Sequence, residues 1–513
     1  MGELVSKNPA TLEDIGSVPI TTREEVQKAV AKAREAQDEW AALGYSGRAK
    51  YLLRARKYLF ANITKIAETI TRDNGKPLVE SVTAEVYPIA EVIHYFAHNS
   101  AKLLAPRSQG IGIMGALRRS SVIEYAPHGV IGIISPWNYP FSIPASEVVM
   151  ALMAGNTVVL KPSSMTPLVG QAIADMMDAA NMPDGVFQHV PGNSTTGEAL
   201  LDAGCDKMLF TGSVGVGKKI MARCSNTLTP CVLELGGKDP MIVRADANID
   251  VASSGAVWGA FTNCGQTCAA VERVYVHKDI FEKFVEAAVE KTKALKIGNG
   301  MDDGVDVGPL TNQSQLEIVE AQVADARQRG ANILTGGERV QEYAGYFYKP
   351  TVITGIDHSF ECMSEETFGP LLPIMPYTDD AEAIRLANDS QFGLTASIWT
   401  NSIAKGQMMA RELKAGTVMV NEAVYTYALC RTPWGGVKDS GIGRSHAREG
   451  LLELARPLHI HTNRWIRKSM WWYSYSRELY EGFQCLAKNI TGNILVAAKA
   501  LPTLLKLMLK KKL

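Results

Sequence analysis

Short apolar runs alternate with helix-length segments through most of this chain, and that alternation limits its fold more than any other feature. Val130-Ile131-Gly132-Ile133-Ile134, Thr157-Val158-Val159-Leu160 and Lys207-Met208-Leu209-Phe210 read as strands, as does Ser121-Val122-Ile123-Glu124-Tyr125. Each is too short for a helix, and helix-length stretches follow. A strand, a helix and a further strand in succession need a crossover, which makes the strands parallel. One alternating set spans about 122–240 and a second about 240–430. With no internal repeat and no long linker, the expected fold class is α/β, two doubly wound parallel sheets sharing an extensive interface. Residues 22–105 read as helical, with amphipathic stretches from Arg23 to Ala42 and from Gly47 to Asn74.

The 513 residues suffice for several domains, and the 53 basic side chains equal the 53 acidic ones. That balance excludes the basic excess of a nucleic-acid binder. Eight cysteines are scattered without metal-ligand spacing, so no metal is expected. No secretory signal opens the sequence, which reads as cytoplasmic with reduced thiols. The last fifty residues differ. Trp465 to Tyr475 is aromatic and basic, and Ile490 to Leu509 is apolar but carries Lys499 and Lys506. Two lysines suit a spanning helix poorly. An amphipathic extension at a membrane surface is one reading, and an extra helix packed on protein is the other.

Two reactive side chains stand out. Cys268 closes the run Phe261-Thr262-Asn263-Cys264-Gly265-Gln266-Thr267-Cys268, where glycine and polar residues suggest a loop that presents the thiol. Glu234 ends a buried strand at Val232-Leu233-Glu234-Leu235-Gly236-Gly237, where a charge needs a reason. A thiol that forms a covalent adduct and a carboxylate that activates water are the two halves of a two-step oxidation. Asn138, between Trp137 and Pro140, offers a side-chain donor for a developing alkoxide or is an ordinary turn residue. Cys264 reads as a spacer in the loop, with a reversible disulfide to Cys268 as the alternative.

Together with Pro136-Trp137-Asn138-Tyr139-Pro140, these motifs resemble the aldehyde dehydrogenase superfamily, in order, from about residue 8 to about 462. The resemblance implies Cys268 as nucleophile, Glu234 as hydrolytic base, and Asn138 with the cysteine N–H as oxyanion donors. It implies a cofactor domain at 1–105 and 128–238, a catalytic domain at 239–435, and bridging strands at 106–127 and 454–464. Beyond these lies the extension at 465–513. Bridging strands of this kind join neighbouring subunits, so a homo-dimer or homo-tetramer is implied. NAD+ or NADP+ is the implied cofactor. Ile134, Ser135, Pro136, Trp137 and Leu235 would line it, and Gly212, Ser213 and Gly217 would meet the pyrophosphate at a helix N-terminus. Lys161 would reach the adenosine ribose, Glu366 the nicotinamide ribose, and Phe368 would pack at the nicotinamide. Pro433 to Arg444 is taken as architectural. Ser164 stands where NAD-preferring relatives often carry glutamate, so NADP+ is expected to be tolerated.

The resemblance also places the helix after Asn138 along the substrate tunnel. Succinate-semialdehyde dehydrogenases commonly have Arg-Lys where this chain has Ser146-Glu147, so the carboxylate-binding cation is missing and Glu147 would repel. Tyr139, Phe141 and Ile143 point instead to a medium- or long-chain aliphatic aldehyde. A small semialdehyde is the alternative substrate, and an inactive membrane-associated scaffold is the alternative from another class.

Overall fold

The computed structural model describes residues 2–112, 118–465, 468–469, 471–489 and 502. It divides into two compact units, 1–105 with 125–456 and 106–124 with 457–513.

In the larger unit a six-stranded sheet has the order Gly441–Ile442, Cys231–Glu234, Lys207–Thr211, Val130–Ile134, Thr157–Lys161, Phe187–His189. All neighbours are parallel except the first pair. The chain winds outward from Val130–Ile134 in one direction, then returns to its other side at Lys207–Thr211. That reversal opens a crevice beyond the carboxyl ends of these two strands, at Ile134 and Thr211. Ile131, Ile133, Val158 and Leu160 have no exposed surface, each burial stabilising by about 1.5–3 kcal/mol.

A seven-stranded sheet has the order Asn332–Thr335, Thr351–Thr354, Leu371–Tyr377, Val271–His277, Asp239–Val243, Thr395–Trp399, Thr417–Val420. Only Asn332–Thr335 runs antiparallel to its neighbour. Glu234 ends a strand of the first sheet and Asp239 begins a strand of the second. Four residues, Leu235 to Lys238, therefore join the two sheets.

Several elements differ from the sequence reading. The stretch from Gly47 to Asn74 is two helices, Gly44–Ala61 and Ile63–Asn74, broken where Asn62 leaves helical geometry and its amide donates to Tyr58 O at 2.8 Å. Ser121–Tyr125 does not join the doubly wound sheet. It lies within Arg119–Pro127, in a three-stranded sheet with Arg107–Gln109 and Ala455–Asn463. A hairpin of Glu3–Lys7 and Asp14–Pro19 opens the chain. Gly441–Ile442, from the stretch taken as architectural, pairs with Leu233 and Glu234 at the edge of the cofactor sheet. The apolar run Ile490 to Leu509 lies outside the described residues but for residue 502. Among the described residues no helix is long and apolar enough to cross a membrane.

Candidate active site

The helix Ile249–Phe261 ends in a turn that the sequence strains deliberately. Asn263 and Cys264 both take left-handed backbone angles, φ 51° and 55°, which cost non-glycine residues energy and need outside support. The support is Glu80, whose carboxylate accepts from Thr262 Oγ1 at 2.8 Å and from the Asn263 N–H at 2.9 Å. Asn263 Nδ2 in turn donates to Asn138 O at 2.9 Å and Gln266 O at 3.1 Å. A Cβ on Gly265 would meet Gly369 O at 2.2 Å, so the loop closes only with glycine there. Cys264 is buried in the catalytic core as a small hydrophobe, and Cys268 emerges half-buried just before the strand Val271–His277. Burial, then the carboxyls of Glu234, Asp239 and Glu366, push the Cys268 thiol well above its ordinary value. The Ala269 N–H opposes them weakly. A cation is needed beside this sulfur to make it a thiolate.

Asn138 follows the strand Val130–Ile134 and is 3% exposed, with Nδ2 donating to Gln266 O at 3.0 Å. Its backbone is clamped from beneath. Lys76 Nζ donates to Asn138 O at 2.8 Å and to Glu85 Oε1 at 2.6 Å, and sits 4.0 Å from the centre of the Tyr139 ring. Glu85 Oε2 accepts the N–H groups of Phe141 and Ser142, capping the start of the next helix. Lys76 and Glu85 are both fully buried.

Glu234 is 5% exposed, and Oε1 has no protein partner. Burial raises its carboxyl to about 7, with Ser445, Trp434 and Arg444 favouring the ionised form. The Gly236-Gly237 link lets three elements converge on it. A Cβ on Gly237 would meet Cys268 O at 2.3 Å, and one on Gly236 would meet the Glu366 carboxylate at 2.5 Å. The Gly237 N–H donates to Glu366 Oε1 at 2.8 Å. Burial and the nearby Glu272 charge raise Glu366 to about 8. The Glu366–Phe368 loop is fixed by Glu272, which accepts the Thr367 and Phe368 N–H groups at 2.8 and 2.9 Å and is paired with Lys238 at 2.6 Å. Phe368, left-handed at φ 51°, meets Trp137 edge-on at 5.4 Å.

These groups face one cavity of about 240 Å³. It gathers Pro136, Trp137, Asn138, Gly212, Ser213, Glu234, Leu235, Cys268, Glu366 and Phe368 of the expected residues. Thr211, Gly236, Gln315 and Ile318 line it as well. Ile134, Ser135, Lys161, Ser164 and Gly217 do not. Ile134 and Lys161 are register partners at the carboxyl end of the cofactor sheet. Gly217 packs its helix on Leu235, where a Cβ would come within 2.5 Å. Ser164 is half-buried on the loop beyond Lys161.

The crevice fits a dinucleotide. Ser135 Oγ is buried without a partner, and Ser213 precedes the helix Val214–Ser225 without capping it. Lys161 is buried, donates to Pro162 O at 2.9 Å, and is lowered to about 8 by burial. No group of His, Cys, Asp and Glu among the described residues is arranged to hold a metal ion.

A model of the aldehyde dehydrogenase family matches residues 2–460. The chain belongs to the aldehyde dehydrogenase family. It is similar to a 4,4'-diapolycopene aldehyde oxidase of Methylomonas sp, 38% identical over 493 residues, 96% of this chain and 92% of that one. It is 37% identical over 458 residues to a putative NADP+ succinate-semialdehyde dehydrogenase of Mycolicibacterium smegmatis, covering 88% of this chain and 87% of the relative. The solved NAD+ complex of a Bacillus cereus aldehyde dehydrogenase superposes with a TM-score of 0.86 at 33% identity, covering 90% and 94% of the two chains. This protein is therefore an NAD(P)-dependent aldehyde dehydrogenase.

Glu147 is 4% exposed and is not among the residues that line this cavity. Phe141 has no exposed surface and packs in the core beneath the cofactor sheet. The sequence reading missed the Lys76–Glu85 clamp. Its signal was a lysine and a glutamate nine residues apart at a break between helices, which no short motif distinguishes from surface charge.

Proposed function

We propose that this enzyme oxidises an apolar aldehyde, aliphatic and of medium or long chain, to the free carboxylic acid. Cys268 attacks the carbonyl and Asn138 Nδ2, turned from Gln266 O, stabilises the alkoxide beside the cysteine N–H. NAD(P)+, held between Trp137, Gly212, Ser213, Leu235, Glu366 and Phe368 with Lys161 and Ser164 at its adenosine ribose, supplies the hydride acceptor when bound. Glu234 then takes a proton from water, whose oxygen forms a bond to the thioester carbon as the bond to Cys268 Sγ breaks. Its raised carboxyl is matched to neutral pH.

The observation that carries the substrate class is the wall around the thiol. Cys268 and Tyr427 pack with Ala269, Leu394 and Trp434, an apolar surface beside the sulfur. A second carboxylate on the substrate, set against these apolar side chains, would lose its hydration at a cost. The diapolycopene aldehyde oxidase supports the same reading, since its alignment of 493 residues must run past residue 460, where the family model stops. The exposed Trp472, Tyr473, Tyr475 and Tyr480 after that point favour contact between the extension and a membrane surface. The strand Ala455–Asn463, with Leu458 and Ile460 exposed, supports assembly with a second copy. The test is kcat/KM for purified enzyme across aldehydes of increasing length and for succinate semialdehyde. Efficiency rising with length is expected, and a preference for succinate semialdehyde refutes the proposal.

A further inference from the structure

Three cysteines that aldehyde oxidation does not use lie together beside the six-stranded sheet. Cys205 and Cys224 are each 5% exposed in one apolar core, and Cys231 packs against that core half-buried. The chain itself folds the last two together. Cys224 lies in the final turn of the helix Val214–Ser225, and Cys231 opens the strand Cys231–Glu234. The link between them doubles back at once, because the N–H groups of Thr227 and Thr229 donate to Cys224 O at 3.2 and 3.0 Å. The Thr227 and Thr229 hydroxyls close the turn at 2.8 Å, with Leu228 between them left-handed at φ 53° and 88% exposed. Where the strand begins, the Cys224 thiol donates to the Cys231 sulfur.

The two thiols are unequal in the way that disulfide formation needs, one ionised and one protonated. The hydrogen bond from Cys224 holds the Cys231 thiol below its ordinary range, and the Lys207 ammonium helps, while burial opposes both. Lys207 stands nearby because it precedes Met208, the register partner of Cys231 on the adjoining strand. Cys224 is raised by the same hydrogen bond and by burial, so it keeps its proton. Cys205 is pushed up to about 12 by burial and by Asp206, and stays a thiol. Cys268, raised by burial and three carboxyls, is also protonated in the free enzyme.

We propose that Cys224 and Cys231 are a hydroperoxide-reactive pair that closes into a reversible disulfide, tying the helix Val214–Ser225 to the strand that ends in Glu234. The Cys231 thiolate attacks the outer oxygen of a hydroperoxide, the O–O bond breaks, and the alkoxide leaves as an alcohol with a solvent proton. Cys231 is then a sulfenic acid. The Cys224 sulfur attacks the Cys231 sulfur, and its thiol proton joins the departing hydroxyl, which leaves as water. The two thiols have lost two electrons, which reduce the hydroperoxide to alcohol and water. The disulfide closes a loop of eight residues, Cys224 to Cys231. Its formation involves neither Cys268 nor Glu234, and so stands apart from the aldehyde reaction.

The test treats the reduced full-length enzyme with tert-butyl hydroperoxide, alkylates the remaining thiols with iodoacetamide, and maps tryptic peptides by mass. Cys224 and Cys231 share one such peptide, Cys224 to Lys238, with no lysine or arginine between them. This peptide should escape alkylation, weigh less by two hydrogens, and regain both alkylation sites after dithiothreitol. It should be lost from the reduced pool about tenfold faster than the peptides of Cys205 or Cys362, because thiolate content governs the rate. Cys224→Ser should leave Cys231 as a sulfenic acid that dimedone traps. A Cys224–Lys238 peptide still alkylated twice while other cysteines are oxidised overturns the proposal. So does a bridge from Cys224 to Cys205, or a Cys231 oxidised further while Cys224 stays free. If the variant does not fold, the peptide map of the parent decides alone.

Discussion

Lys76→Met tests whether the buried ion pair behind the Asn138 turn holds the proposed oxyanion site in place. The substitution keeps the length and the apolar stem but removes an ammonium that serves Glu85 at 2.6 Å and Asn138 O at 2.8 Å. Removing one partner of a buried pair costs about 3–5 kcal/mol, because the other charge stays buried. Two backbone N–H groups still donate to Glu85 Oε2, which places the expected loss near the lower bound, about 3 kcal/mol. Lys76→Met/Glu85→Gln removes both charges, and should be more stable than the single variant by about 1–2 kcal/mol. Asn138 keeps the Asn263 bond at 2.9 Å on its carbonyl, so it is loosened rather than lost. The fall in kcat should therefore stay below the about 100-fold cost of an absent oxyanion donor, with KM little changed. Urea unfolding and steady-state kinetics read both effects. A Lys76→Met enzyme as stable as the parent, with unchanged kcat, would refute the argument.

Other perturbations report on single groups. With Glu234 raised to about 7, hydrolysis should climb about tenfold per pH unit below that value and level off above it, since the carboxylate is the active form. Pre-steady-state turnover against pH checks this, and a flat profile from pH 5 to 8 contradicts it. Asn138→Ala should lower kcat about 100- to 1,000-fold while the far-ultraviolet spectrum stays native. The Cys268 thiol, raised by burial and three carboxyls, should react with iodoacetamide more slowly than free cysteine at pH 7 and faster once NADP+ is added. Mass spectrometry of the alkylated peptide gives both rates. Ser164→Glu should shift the NADP+/NAD+ affinity ratio toward NAD+ by about tenfold or more, the effect of placing a carboxylate against a 2′-phosphate, about 1.4 kcal/mol. Titration of cofactor fluorescence measures it.

What the sequence makes legible follows from how far apart the cooperating residues lie. The central strands were readable because a short run such as Val130–Ile134 carries its own apolar signature, and the observed bounds agree. Cys268 and Glu234 line one cavity, and each sits in a local motif where glycine and polar residues are out of keeping with a packed core. The Gly441–Ile442 strand was not, because two residues give no periodicity, and their pairing with Leu233 and Glu234 depends on the returning chain.

The link from Leu235 to Lys238 explains why so much of the site nevertheless assembles from short motifs. It leaves the strand that ends in Glu234, enters the strand that begins at Asp239, and contains the two glycines against which Glu366 and the Cys268 carbonyl press. A side chain at Gly237 would force the thiol loop away from Glu234, and one at Gly236 would displace the Glu366 carboxylate. Glu234, Cys268 and Glu366 are thus spaced by one backbone segment whose ends are each anchored in a separate sheet. The motif Glu-Leu-Gly-Gly-Lys is short because backbone contact, with no intervening side chains, sets these separations. The supporting residues are scattered because each holds one approaching loop, Glu80 the cysteine turn, Lys76 the Asn138 turn and Glu272 the Glu366 loop. Each of these three is a charged side chain bonded to loop backbone, Lys76 and Glu272 buried and Glu80 half-buried, so altering any one should disturb geometry before it disturbs chemistry.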